Sequence, residues 1–440
     1  MWRDMTDRKT QIVVVGGGAA GLALVRKLAA KHDRATHDII LVEKNRTHVW
    51  KPLLHEVAAG SMDANSDEVG YGGHAARWGY RFFNAALERI DRDRRVIVTA
   101  PLLDEAGEVV VDRHEIRYDW LVLAMGGVSD DFGIPGVRDH AMFLESRQQA
   151  DLFRRKMLNA CLRANDRKPE GAEARVSVCI VGGGATGVEL SAELVNAAKA
   201  LRSYGLERFD EDTLQITLLE AGPKLLPALP EDVSDKVKGR LAELGVDVRT
   251  GAMVTRVGPR AVEVKDGPTI EADLILWATG VRGDHALSKI TDLELSKRGQ
   301  IVVEPTLRSK NDPRIFAIGD CAHCVLPGEE RPVPPRAQSA GQMADHMVGQ
   351  LDRAQKGQPL RDFVYRDRGA LVSLSRFATH GSLMGNLIGG KMQIEGRVAR
   401  LAYQSLYRLH LLAVHGPWRG TVRIAVNAIN RVTRPALKLH

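Results

Sequence analysis

The strongest constraint on this chain is a glycine turn that occurs twice. Gln11–Val15 (QIVVV) is a short β-branched run of the kind that fills a strand buried on both faces. GGGAAG follows directly, with Gly16, Gly18 and Gly21 at G-x-G-x-x-G spacing. LALVRKLAAKH then reads as a helix with Leu22, Val25, Leu28 and Ala29 on one face, and a second strand over Asp38–Val42 runs into Glu43. In such a frame Gly16 permits the tight turn, Gly18 lets backbone approach a pyrophosphate, and Gly21 lets the helix pack closely on the sheet. The helix N-terminus faces the phosphates, and Glu43 is placed to accept hydrogen bonds from ribose hydroxyls.

The frame then recurs. Val176–Val181 (VSVCIV) leads into GGGATG, with Gly182, Gly184 and Gly187; VELSAELVNAAKAL continues as a helix, and the strand Leu214–Leu219 ends at Glu220. Two complete fingerprints in one chain predict two dinucleotides, a nicotinamide donor and a flavin acceptor. A carboxylate at position 220 would repel a 2′-phosphate, and Ala221, Gly222, Pro223 and Lys224 include no Arg, so NADH is expected rather than NADPH. Tyr118–Met125 and Asp273–Ala278 read as matching strands ending in small residues, Gly126-Gly127 in one half and Thr279-Gly280 in the other. Arg314–Asp320 (RIFAIGD) reads as a buried strand whose terminal aspartate could bond a flavin's ribityl chain or stand near its pyrophosphate.

Length and charge set the remaining bounds. The 440 residues suit two or three domains, and 44% hydrophobic with 27% charged residues describes a globular chain. Four cysteines are too few and too scattered for a secreted disulfide framework. The N-terminal MWRDMTDRKTQ has no apolar segment, which predicts no export signal. Residues 361–440 carry thirteen Lys/Arg against three Asp/Glu, so the overall +7 leaves −3 for residues 1–360. A basic tail on an acidic body predicts an anionic lipid surface as partner, rather than nucleic acid. Within it, Gly396–Val414 and Trp418–Val432 each set apolar residues at helical spacing against arginines, the pattern of helices lying in a headgroup region. Packing on the body or in a dimer interface is the competing reading, and a homodimer presenting both anchors satisfies both.

With these residues in hand, the chain resembles the type II NADH dehydrogenases, single-subunit, non-pumping NADH:quinone oxidoreductases. The turns place it in the wider two-dinucleotide flavoprotein superfamily; HVWKPLLHEVAAG (His48–Gly60), IFAIGDCAHC (Ile315–Cys324) and PPRAQSAGQMA (Pro334–Ala344) narrow it. The resemblance implies that Gly16, Gly18, Ala20, Gly21, Glu43, Lys44, Ala124, Asp320 and Ala337 hold FAD without a covalent bond. It implies that Gly182, Gly184, Thr186, Gly187, Glu220, Thr279 and Gly280 hold NADH. Glu189 is implicated in proton and hydride coupling, and Gln338 and Gln342, one helical turn apart, in bonding the oxygens of a membrane quinone. It implies a peripheral enzyme on the cytoplasmic face of a bacterial inner membrane. No metal is expected: Cys321 and Cys324 read as packing thiols, since zinc would need further ligands close by. Rival readings are a sulfide:quinone oxidoreductase, a soluble ferredoxin-type reductase, and a non-enzymatic redox effector like apoptosis-inducing factor.

The expected architecture is α/β: two Rossmann-like domains and a C-terminal membrane-associating module. FAD is assigned to residues 1–140 and 285–350, NADH to 141–284, and the amphipathic anchor to 351–440. Strands are expected over Asp362–Phe377, and Arg163–Arg175 as a polar linker.

Overall fold

The computed structural model describes residues 8–63, 68–166, 175–201, 204–206, 213–374, 378–385 and 390–433. The chain forms two compact units, Met1–His48 with Glu68–Val128 and Val281–Arg366, and Val49–Asp67 with Ser129–Gly280 and Asp367–His440.

The first unit is built on a five-stranded parallel sheet. Its order is Ile315–Ala317, Trp120–Leu123, Thr10–Val15, His37–Glu43, Arg81–Asn84. The central strand is apolar on both faces, and Ile12, Val13 and Val14 are fully buried. A strand of this kind must be covered on both sides. The helix Ala19–Lys31 covers part of it through Leu22, Leu24, Val25 and Leu28, and packs against the helix Ala337–Gln355.

The second unit repeats the plan. Its parallel sheet runs Met142–Phe143, Leu274–Trp277, Val176–Val181, Leu214–Glu220, Val246–Thr250. The helix Ala185–Leu201 is buried along most of its length, because its neighbours include the helix Leu54–Ala59 and the strand Gly369–Leu374. In both sheets the glycine-turn strand has the carboxylate strand on one side and the small-residue strand on the other. Val15 pairs with Val42 and Leu123, and Val181 with Leu219 and Trp277. This is the mixed α/β, doubly Rossmann-like class that the fingerprints predict.

Some boundaries differ from expectation. The stretch expected as a linker at 163–175 begins as the last turn of a 20-residue helix, Arg147–Asp166, and residues 167–174 lie outside the described part. That helix buries Ala150, Phe153, Met157, Ala160 and Cys161, spaced three and four apart. Of the strands expected at Asp362–Phe377, only Gly369–Leu374 forms within the described residues; 361–368 takes no regular structure, and 375–377 lie outside them. Gly369–Leu374 joins Ala378–Gly385 and Gly390–Glu395 in an antiparallel sheet, followed by the helices Gly396–His415 and Pro417–Thr433. No helix among the described residues is long and apolar enough to cross a membrane.

Candidate functional site

The parallel register sets each glycine turn beside a small residue. Gly16 adopts φ +103° and Gly182 φ +117°, both in the region that favours glycine. A Cβ on Gly16 would stand 2.3 Å from the Ala124 carbonyl oxygen, and one on Gly182 would stand 2.5 Å from that of Ala278. One turn into each helix the contact repeats: a Cβ on Gly21 would lie 1.8 Å from the Gly16 oxygen, and one on Gly187 2.0 Å from the Gly182 oxygen. No residue but glycine fits these four places without moving backbone.

The two carboxylates close the turns. Glu43 Oε2 accepts the Gly17 N–H at 2.7 Å, and its Oε1 accepts the N–H of Asn45 at 2.9 Å and the Asn45 side-chain amide at 2.6 Å. Glu220 Oε2 accepts the Gly183 N–H at 2.7 Å, and its Oε1 the Gly222 N–H at 2.6 Å. Both acids are therefore oriented before any ligand arrives. Gly18 and Gly184 would each meet nothing within 4 Å of an added Cβ. Neither helix carries an acid in its first turn, and Gly18 at the N-cap makes no side-chain capping bond. Each cradle thus pairs an open, electropositive helix start with a fixed acceptor, which is what a dinucleotide's pyrophosphate and ribose require. The residues present fit a dinucleotide in each unit.

The remaining expected residues fall as follows. Asp320 sits in a short 3-10 turn, Gly319–Cys321, after the strand Ile315–Ala317, and its carbonyl accepts the Gln300 amide at 2.8 Å. A Cβ on Gly319 would lie 3.6 Å from Ala340 Cβ and 3.8 Å from Ala20 Cβ, so that turn meets the start of the first nucleotide helix. Lys44 is exposed, with its carbonyl accepting the Asn84 amide at 3.0 Å, and Ala337 opens the helix Ala337–Gln355. In the second unit Thr186 is exposed in the first turn. The Thr279 hydroxyl and the Trp277 indole both donate to the Asp130 carbonyl, at 2.7 and 2.8 Å, while the Asp130 N–H donates to Gly280. Asp130 thus anchors the Thr279-Gly280 turn, a role with no sequence signal.

Glu189 is buried in the second unit. Its Oε1 accepts the Ser373 N–H at 3.1 Å, and its Oε2 lies 3.5 Å from His55 Nδ1. Gln338 and Gln342 stand one turn apart in the first unit. The Gln342 amide donates to the Arg366 carbonyl at 2.9 Å and accepts the Arg366 N–H at 3.0 Å. Two turns further on, Gln350 holds Arg361 in the same two-way manner, at 2.7 and 3.0 Å.

Residues 10–344 match the pyridine nucleotide-disulphide oxidoreductase family. The chain is 41% identical to the type II NADH:quinone oxidoreductase of Haemophilus influenzae, across 98% of this chain and 99% of that protein. It is 32% identical to the Staphylococcus aureus type II NADH:quinone oxidoreductase, across 88% and 92%. This chain belongs to the type II NADH:quinone oxidoreductase family. The fold agrees: Plasmodium falciparum NDH2 in complex with NADH superposes with a TM-score of 0.81 at 19% identity, covering 98% of this chain and all of that one. The Aquifex aeolicus sulfide:quinone oxidoreductase shares the fold at a TM-score of 0.69 and 17% identity, with 92% of each chain covered.

The cysteines of this family member are free and buried. Burial pushes the Cys161, Cys179 and Cys324 thiols up to about 12, and Cys321 to about 11. Thiols held protonated in a core do not carry sulfur or exchange disulfides readily. The His55 side chain is also in the core; desolvation by burial lowers its pKa to about 4, against a raising contribution from the Pro52 backbone. Nothing local in the sequence marks His55 as a histidine that meets a glutamate from another helix.

The buried imidazole predicts a pH effect. As pH falls from 6.5 toward 4, the unfolded chain takes up a proton on His55 that the folded chain refuses. Stability is thereby lost over that window by up to about 1.4 kcal/mol per pH unit. A His55→Gln variant, less stable at pH 7.5, should lose less stability on acidification from 6.5 to 4.5. Urea midpoints measured across that range check this; equal slopes for the two proteins would contradict it.

Proposed function

We propose that this chain oxidises NADH and passes two electrons through non-covalently bound FAD to a membrane quinone, without pumping protons. The observation that carries the reading is the doubled cradle, each half closed by its own carboxylate, in a chain 41% identical over nearly its full length to a type II NADH:quinone oxidoreductase.

FAD, when bound, supplies the two-electron carrier between nicotinamide and quinone. The protein supplies geometry and electrostatics. Gly16, Gly18, Ala20 and Gly21 receive the flavin dinucleotide's pyrophosphate, Glu43 and Lys44 its adenosine end, and Ala124, Asp320 and Ala337 the flavin end. Gly182, Gly184, Thr186 and Gly187 receive NADH, with Thr279 and Gly280 at the nicotinamide end. Glu220 accepts both adenosine ribose hydroxyls and opposes a 2′-phosphate. Glu189 holds or releases a proton in a site with little water, oriented by the Ser373 N–H. Gln338 donates its amide to a quinone oxygen. Gln342 retains one amide hydrogen and one oxygen lone pair beyond its clamp on Arg366 and stands one turn away.

The quinone is lipid-soluble, so the enzyme works at a membrane. The last helix, Pro417–Thr433, is suited to the surface. Trp418 is 79% and Ile429 66% exposed, and they share one stripe with exposed Val422 and Val426; Arg419 and Arg423 stand alongside. The helix before it is packed: Leu411 and Val414 are buried, and His410 stacks on Trp50 at 3.8 Å. Each arginine near an anionic leaflet adds roughly 1 kcal/mol. The cytoplasmic face of the inner membrane is the proposed location, and a homodimer would present two such helices.

Two measurements test this. Purified protein with FAD should oxidise NADH in the presence of a short-chain soluble quinone, far faster than NADPH, and Glu220→Gln should raise the KM for NADH about tenfold, the worth of one charge-assisted hydrogen bond. Equal use of NADPH, or an unchanged KM in the variant, would contradict the assignment. A chain ending at Gly416 should keep its flavin but stay in the supernatant when spun with anionic vesicles; co-sedimentation as strong as the full chain's would rule out the last helix as anchor.

A further inference from the structure

The two cradles hold their middle glycine alike on one side and differently on the other. In both, a carboxylate accepts the glycine N–H at 2.7 Å, Glu43 from Gly17 and Glu220 from Gly183. The Gly183 carbonyl accepts the backbone N–H of Leu226 at 2.8 Å, brought there by a left-handed φ of +50° at Leu226. The Gly17 carbonyl instead accepts the hydroxyl of Tyr71 at 2.6 Å.

Tyr71 is built for that contact. It opens the helix Tyr71–Trp78, is 2% exposed, and donates its own N–H to the Arg46 carbonyl at 3.1 Å. Its ring lies against Gly17, where a Cβ would stand 2.5 Å from the phenol's Cζ and Oη, and it is flanked by Phe82 at 5.3 Å between centroids. Burial first, and then the charge of Glu43, push the phenol's pKa well above its usual value, so the hydroxyl remains a donor. A backbone donor such as Leu226 survives any side-chain change; the Tyr71 hydroxyl does not.

We propose that Tyr71 is a positioning residue for the flavin cradle: its hydroxyl holds the Gly17 carbonyl while the Glu43 carboxylate holds the Gly17 N–H, so that the two successive peptides of the Gly16–Gly18 turn are shaped for the pyrophosphate of FAD. This rests on the reading that FAD occupies the first fingerprint. The second cradle gives the same task to backbone, so the dependence is confined to one of the two nucleotides.

Tyr71→Phe keeps the ring and removes the donor, leaving the Gly17 carbonyl short of a partner. The test dilutes flavin-loaded protein and follows the rise of free-flavin fluorescence, with the KM for NADH measured separately in excess FAD. The variant should release FAD about five to ten times faster than wild type, while its KM for NADH stays within twofold. Release at the wild-type rate overturns the proposal. So does a parallel loss of NADH affinity, which would make Tyr71 a general stabilising residue. Wild-type protein that retains no flavin overturns the underlying FAD reading instead.

Discussion

The hydrogen bond from a mid-turn glycine N–H to a carboxylate on the neighbouring strand is the contact on which both nucleotide sites depend. It is formed twice, by Gly17 with Glu43 and by Gly183 with Glu220, at 2.7 Å each time. It needs parallel strands in a fixed register, so that the acid ending one strand arrives beside the turn ending the next. Bonds to an ionised acceptor in partly buried surroundings are worth about 1.5–3 kcal/mol, roughly twice a neutral pair. Their larger consequence is orientation. Each acid's second oxygen is also held by backbone, at Asn45 and at Gly222, so neither acceptor has rotamer freedom left to lose on meeting a ligand.

What was legible in the sequence is what local spacing encodes. Glycines at fixed offsets, β-branched runs and a terminal acid placed both fingerprints, because turn geometry excludes other residues at Gly16, Gly21, Gly182 and Gly187. The two C-terminal helices were legible as periodicity, with ends at His415 and Thr433 within a residue of those expected. Their different burial was not. Gly420 lets the two helices cross closely, since a Cβ there would stand 2.8 Å from a Leu412 methyl, while the apolar stripe of the second helix, Trp418, Val422, Val426 and Ile429, stays exposed. Period alone cannot say which of two amphipathic helices is inside. The helix Arg147–Asp166 is not legible for a related reason: its apolar positions are sparse among arginines and glutamines, and its polar last turn resembles a linker.

Side-chain bonds to distant backbone form the second class of feature that local spacing hides. The segment 362–366 is expected as part of a strand, yet among the described residues it pairs with no strand: Gln350 and Gln342 hold its ends at Arg361 and Arg366, and the Phe363 N–H donates to the Pro305 carbonyl. The glutamine pair Gln338 and Gln342 was visible as a helical spacing, but the engagement of Gln342 with Arg366 was not, because it joins residues 24 apart through an irregular stretch. Tyr71 and Asp130 belong to the same class: each supports a turn from outside the motif that announces the turn. His55 and Ser373 stand in that relation to Glu189. The motifs name the turns and acids of each cradle; the residues that hold them come from anywhere in the unit.

The central claim is that one polypeptide holds both redox partners and hands electrons on to a quinone. An anaerobic titration tests it most directly: flavin-loaded protein receives NADH in increments while its visible spectrum is followed, and a soluble quinone is then added. The account predicts that about one equivalent of NADH per flavin bleaches the yellow absorbance and that quinone restores it. A spectrum that stays yellow under excess NADH, or a bleached flavin that quinone fails to reoxidise, would contradict it.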